Sequence, residues 1–161
     1  MNMNWKVLNW PLDLETSEIW ADFLTSAEMP TQYGSAHFFT DPFVRGGEKF
    51  AISAIDDSEK IVALATGVQK NGVVTCGLPS RPQLFFRKGV DRQEALRCVF
   101  DGVVKTWDPK FIQLVSWGEI DGIESLGFER MADSGNNEVV LLDLSPGYEK
   151  LFKNFSSARR N

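Results

Sequence analysis

The sequence predicts an α+β fold, a mixed and mostly antiparallel sheet flanked by helices. Three observations predict it. A capped amphipathic helix over Arg92–Trp107 leads straight into an apolar strand, Phe111-Ile112-Gln113-Leu114-Val115-Ser116-Trp117. Asn71-Gly72 separates two strand-like runs, and both residues tolerate the positive φ that a type I′ hairpin turn requires. A short helical stretch stopped by Leu126-Gly127-Phe128 precedes one more apolar strand over residues 138–144.

Each element follows from local periodicity. Ile19, Trp20, Phe23, Leu24 and Ala27 recur at helical spacing, so residues 16–27 form an amphipathic helix. Met29-Pro30 ends it, because a proline pushes the residue before it toward extended geometry. A second short helical piece is expected over residues 35–44, with Asp41 as N-cap and Pro42 at the first helical position. Gly46-Gly47 then breaks the chain. Residues 49–55 alternate as a strand, Asp56-Asp57-Ser58 turns, and residues 60–70 form a second strand partly buried on both sides. The returning strand covers residues 73–78. Pro79-Ser80-Arg81-Pro82 is a loop, and residues 83–87 are a short strand after it.

The helix Arg92–Trp107 carries Ala95, Leu96, Val99, Phe100, Val103, Val104 and Trp107 on one stripe. Asp91 and Glu94 make a D-x-x-E capping pattern, and Asp108-Pro109 closes the helix. Residues 111–117 should be a central strand. Residues 120–126 should be a short helix with Gly127 as a left-handed cap. A strand over residues 128–132, a turn at Asn136-Asn137, the strand over 138–144, and a helix opened by Ser145-Pro146 complete the reading.

Composition bounds the function. The chain has 161 residues, 43% of them hydrophobic, including twelve Phe and five Trp, which suffices for one domain with a large aromatic core. The net charge of −5 leaves no basic face for a nucleic-acid duplex. Apolar runs such as residues 61–65 are too short for a transmembrane segment. Met1-Asn2-Met3-Asn4-Trp5-Lys6 lacks a signal-peptide core, so a cytoplasmic location is expected. Cys76 and Cys98, isolated and without a His neighbour, read as structural thiols rather than zinc ligands. His37 is the single histidine, so any Ser-His-Asp or Cys-His device would have to use it. Its place between Ala36 and Phe38 reads as packing or a helix start.

The order of elements resembles the sheet of GNAT (acyl-CoA N-acyltransferase-like) proteins. Within that superfamily the likeness is to the Fem-type and CelD-type proteins, built from two tandem GNAT-like halves. Four passages carry it. Phe39-Thr40-Asp41-Pro42-Phe43 is similar to their F-x-x-P-x-W opening. The hairpin over residues 61–77 is similar to their G-x-x-P-L strand pair, with the proline missing. Residues 108–117 followed by Leu126-Gly127-Phe128 resemble their D-x-L-x-L … GF block. The tail Asp143-Leu144 … Tyr148-Glu149-Lys150-Leu151 … Arg159-Arg160-Asn161 resembles the Y-x-x-L-x-x-x-x-R-R-N helix that carries the chain into the second half.

The resemblance implies a GNAT-like domain over residues 1–144 and the start of a linking helix over 145–161. It implies the N-terminal half of an N-acyl- or aminoacyl-transferase acting on an amine of an envelope precursor or polysaccharide sugar. That half would supply scaffold and part of the acceptor cleft. The chain is then an isolated half or a fragment, inactive alone, with a second GNAT-like half or partner chain against its last helix. Two other readings stay open: a complete single-domain N-acetyltransferase that binds acyl-CoA through a degenerate loop, and a non-catalytic ligand- or protein-binding module.

An acyl-CoA enzyme of this fold holds the diphosphate on free backbone N–H groups at a helix start, through a Q/R-x-x-G-x-G/A loop. The matching place is Arg87-Lys88-Gly89-Val90-Asp91-Arg92, with Arg87, Lys88 and Gly89 as the candidate cofactor contacts. It has one glycine where the pattern has two, and Asp91 brings a carboxylate to the donors. The same residues also read as an ordinary capped surface helix, so no cofactor is firmly assigned. Glu119 and Asp121 follow the strand end where open α/β sheets place ligands, and read equally as acids complementing a helix start. In the Fem-type relatives the tail helix lies between the halves, which implies an anionic group for Arg159 and Arg160. The pair also suits a helix C-terminus.

Overall fold

The computed structural model describes residues 2–77, 81–116 and 120–129. Six strands and two helices appear in the order β1 (Asn4–Val7), α1 (Leu14–Ser26), β2 (Glu48–Ile55), β3 (Ile61–Lys70), β4 (Val73–Cys76), β5 (Leu84–Phe86), α2 (Arg92–Trp107) and β6 (Phe111–Leu114). Short 3-10 turns cover Gln32–Gly34, Ala36–Thr40 and Ile123–Leu126. The sheet runs β1-β2-β3-β4-β6, with β5 also on β3. All pairs are antiparallel except β4 with β6. The expected mixed, mostly antiparallel α+β architecture is what forms.

Helix α2 forms where periodicity and capping agree. Its N-cap Asp91 accepts a hydrogen bond from the Glu94 amide at 3.0 Å, and Asp108 closes it in the left-handed region at φ 42°. Ala95, Leu96, Val99 and Val103 are fully buried against Ile52, Ala54, Ala63 and Ala65 of the sheet. Each large side chain removed from water there contributes about 1.5–3 kcal/mol. On the opposite face, Trp20 and Phe23 of α1 pack with Ala51, Leu64 and Phe85. Strand β3 is thus covered on both sides, and it is buried from Ile61 through Gly67.

The hairpin turn has Asn71 at φ 53° and Gly72 at φ 79°, the backbone a type I′ turn needs. Gly127 is left-handed at φ 86°, and its amide bonds to Glu124, so this cap also forms.

Several expectations change. Residues 35–44 do not form a helix begun at Asp41. A 3-10 turn over Ala36–Thr40 ends there instead. Asp41 is extended because Pro42 follows it, and its Oδ1 accepts from the Phe43 amide at 2.8 Å in a local turn. Lys49 Nζ takes the carbonyls of Phe39 and Asp41 at 3.0 and 2.6 Å, so these oxygens serve the sheet and not a continuing helix.

Helix α1 starts earlier, at Leu14, because Asp13 caps the Thr16 amide at 2.6 Å. It stops before Met29-Pro30, since Ala27 turns extended and bridges to Arg87. The apolar run from Phe111 keeps strand geometry only to Leu114, and among the described residues it pairs with β4 alone. Residues 120–126 contract to one 3-10 turn between two left-handed glycines. Phe128 is not in a strand. Its ring meets Phe100 edge-on at 5.1 Å. The expected strand over 138–144 and helix over 145–161 lie outside the described residues. Strand β1, not expected, pairs with β2 through mostly exposed residues.

Gly67 marks the tightest point of the sheet. A Cβ there would lie 2.3 Å from the Thr75 carbonyl oxygen and 2.8 Å from Phe50 Cζ. A backbone oxygen held in a ladder cannot step aside. Gly67→Ala should therefore cost about 2 kcal/mol, seen as a lower urea midpoint with an unchanged slope.

Candidate functional site

The break between β4 and β5 creates the site. Thr75 pairs with Val68, and Leu84 pairs with Ala65, so nine residues along one side answer to three along the other. The chain leaves β3 at Gly77 (φ 91°), where a Cβ would meet the carbonyl oxygens of Arg81 and Val115 at 3.0 and 3.1 Å. The Gly77 amide donates to Gln83 Oε1 at 2.8 Å, and the Thr66 amide donates to Gln83 O at 2.8 Å, which recaptures the strand. Meanwhile β6 continues beside Cys76, whose carbonyl accepts from the Val115 amide at 2.8 Å. Two openings lie near the carboxyl ends of this parallel pair, where open sheets receive ligands.

One opening is a crevice between β5 and Ser116, reached from Glu28, Met29 and Arg92. It is about 20 Å³, little more than room for one water. The chain after α1 pairs with the end of β5, where the Glu28 amide donates to Phe86 O at 2.9 Å. That places the Glu28 carboxylate in an ion pair with Arg92. The Arg92 guanidinium also lies 5.7 Å from the Phe86 ring centroid.

The structure brings Arg87, Lys88 and Gly89 together in the turn between β5 and α2. Arg87 is already engaged: Nε donates to Ile61 O at 2.9 Å, and Nη2 pairs with Asp22 at 3.1 Å. Lys88 is exposed, and Gly89 (φ 78°) has open space around it. The Asp91 carboxylate holds a first-turn amide of α2.

The second opening is a cleft of about 140 Å³ on the α1 side, lined by Tyr33, Arg45, Val68, Thr75, Arg81 and Gln83 among others. Tyr33 is held in place by its carbonyl, which accepts from Thr66 Oγ1 at 2.8 Å. The Arg81 guanidinium lies 5.8 Å from the Tyr33 ring centroid. These residues were not singled out as a site from the sequence. The usable signal was the loop around Arg81, set between two runs that both pair with β3.

Asp121 is exposed, two residues ahead of the Ile123–Leu126 turn, while Glu119, Arg159 and Arg160 lie outside the described residues. His37 is exposed in the Ala36–Thr40 turn and forms no described ion pair. Among the described residues no His/Cys/Asp/Glu group could hold a metal ion, and no helix is long and apolar enough to cross a membrane. Cys76 is buried and Cys98 half-buried, both as free thiols.

No protein-family profile matches the chain, and no curated protein sequence does. Solved structures share its fold. A structure assigned as an acetyltransferase from Exiguobacterium sp. 255-15 is 12% identical, with a TM-score of 0.52 over 83% of this chain and 89% of that one. Another assigned acetyltransferase is 13% identical, with a TM-score of 0.50 over 89% and 99%. AAC(6')-Iy, in complex with the bisubstrate analogue CoA-S-monomethyl-acetylneamine, is 15% identical, with a TM-score of 0.50 over 89% and 97%. The fold is that of the GNAT acetyltransferases. At these identities the likeness is one of architecture.

Burial pushes the Cys76 thiol from its ordinary 9.0 up to about 12. Below pH 9.0 folded and unfolded chains both keep that proton. Above it the unfolded chain loses the proton first, so stability falls between pH 9.0 and about 12. The slope reaches about 1.4 kcal/mol per pH unit. Cys76→Val should flatten this part of the profile in urea titrations at pH 8.5 to 10.5 (~2 units, within the titrating range). Parallel losses in both proteins would contradict a thiol held protonated.

Proposed function

We propose that this domain supplies the scaffold and part of the acceptor cleft of a Fem/CelD-type N-acyl- or aminoacyl-transferase, and does not turn over acyl-CoA by itself. The observation that carries this reading is the narrowness of the crevice between β5 and Ser116. A thioester arm running from a diphosphate at the start of α2 would have to pass through it. The Arg92–Glu28 ion pair stands across that path and leaves about 20 Å³. The Asp91 carboxylate competes with a phosphate for the α2 amides and repels it. Opening the crevice means parting a half-buried ion pair and baring its charges. The α1-side cleft, by contrast, is open.

In this proposal the acyl chemistry resides in a second GNAT-like half packed on the helix over residues 145–161, with Arg159 and Arg160 facing an anionic group between the halves. The acceptor is an amine on an envelope precursor or a polysaccharide sugar.

One observation favours a second reading, a complete single-domain N-acetyltransferase with a degenerate loop. The chain spans 97% and 99% of two acetyltransferase structures of its fold. In that reading Arg87, Lys88 and Gly89 receive the diphosphate once Arg92 leaves Glu28.

Thermal shift and an amine-acylation assay with acetyl-CoA separate the two. Under the first reading the protein shows no saturable shift and forms no acylated amine. A ligand at 100 times its dissociation constant adds about 2.7 kcal/mol to stability, a shift of several degrees. Such a shift, lost in Lys88→Glu, would overturn the first reading in favour of the second.

A further inference from the structure

We infer that the cleft beside Tyr33 binds a small organic acid, with its carboxylate between Arg45, Arg81 and Gln83 and its apolar body against Phe43, Val44 and Val68. The inference rests on the reading of this cleft as the acceptor side and adds the charge class of what it accepts.

Charge is the first argument. The protein carries 22 acidic residues against 17 lysines and arginines, yet the cleft is lined by two arginines and no carboxylate. Ion-pair formation distinguishes these arginines from others nearby. Arg87 and Arg92 each meet an acid. Arg45 and Arg81 meet none among the described residues. Arg45 gives its Nε to Pro42 O at 3.0 Å, which orients the guanidinium and leaves its terminal nitrogens uncommitted among those residues. Arg81 is oriented by the Tyr33 ring 5.8 Å away. Guanidinium forks match a carboxylate's two oxygens.

Hydrogen-bond polarity is the second argument. Gln83 is buried, and its Oε1 is committed to the Gly77 amide. What remains of that side chain is its NH₂, a donor with no acceptor among the described residues. Thr75 and Tyr33 add hydroxyls to the lining. The charged and amide groups of the lining offer donors, which suits an anion.

Size and apolar lining narrow the class. About 140 Å³ is well below the ~300–1,000 Å³ of pockets for drug-sized ligands. It fits a carboxylate with one ring or a short aliphatic body. Phe43 is 76% exposed at the rim, an apolar side chain that a ligand body would cover.

The carboxylate could belong to a free acid or to a peptide C-terminus, so the test uses both. Benzoate and N-acetyl-alanyl-alanine are titrated into the 161-residue protein at constant ionic strength, followed by amide NMR. Benzamide, the C-terminally amidated peptide and inorganic phosphate are the comparisons. The expected result is saturable shifts at Arg45, Thr75 and Gly77 with at least one carboxylate, none with its uncharged partner, and weaker binding of phosphate. Benzoate alone saturating assigns a free acid; the peptide saturating more tightly assigns a C-terminus. Arg45→Gln and Arg81→Gln should each weaken binding about tenfold, by the loss of a charge-assisted hydrogen bond, with spectra otherwise native. Linear shifts, equal response to benzamide, tighter binding of phosphate, or unchanged affinity in the double variant would overturn the inference. No coenzyme A is present in these titrations. A null result here leaves the acyl-transfer proposal standing, and acetyl-CoA turnover would defeat that proposal while leaving this one intact.

Discussion

One edge of β3 serves two strands, and the rest of the molecule follows from that constraint. The stretch from Ile61 to Lys70 pairs first with Val73–Cys76 and then with Leu84–Phe86 on the same side. Both pairings satisfy backbone groups that would be costly to bury unpaired. The chain between them has to leave the sheet and return. Gly77 permits the departure, and the Gln83 side chain and backbone secure the return. Meanwhile β6 follows β4 through the Val115–Cys76 hydrogen bond. The crevice and the cleft lie at the same excursion, reached from different sides.

The two openings differ in how charge is handled. On the crevice side, each arginine is matched: Arg87 with Asp22, Arg92 with Glu28. These partly exposed pairs add little to stability, on the order of 0–1 kcal/mol each. Their effect is positional. They tie α1 and the residues after it to the turn before α2 and to its first residue. On the cleft side Arg45 and Arg81 are oriented by a carbonyl and a ring, neither of which neutralises them.

The legible parts of the fold were those where two local signals coincide. Helix α2 has both a capping residue and an unbroken apolar stripe, so its ends, Arg92 and Trp107, could be read directly. The Asn71-Gly72 turn likewise joins turn chemistry to flanking strands. Strand β1 had neither, since Asn4, Trp5 and Lys6 are exposed and the strand exists through its ladder to β2. Asp41-Pro42 gave a false signal, because proline's restriction on the residue before it outweighed the capping preference. For the site, Arg87, Lys88 and Gly89 could be placed in their turn, but not the engagement of Arg87 with Asp22, which lies far away in sequence. Arg45 and Arg81 converge only through the β3–β4 pairing and the excursion after it. No spacing along the chain encodes that.

The start of α2 illustrates two ways of satisfying a helix end. The first amides of a helix need acceptors, and either a ligand's phosphate or a side chain can supply one. A phosphate requires the loop to stay open and glycine-rich, leaving the helix end poorly satisfied when the ligand is absent. A capping aspartate satisfies the end permanently and adds about 1 kcal/mol to stability. Asp91 is the second solution, its carboxylate holding the Glu94 amide with the Arg92–Glu28 pair beside it. On the cleft side, Arg45 and Arg81 keep donors that no acid among the described residues engages.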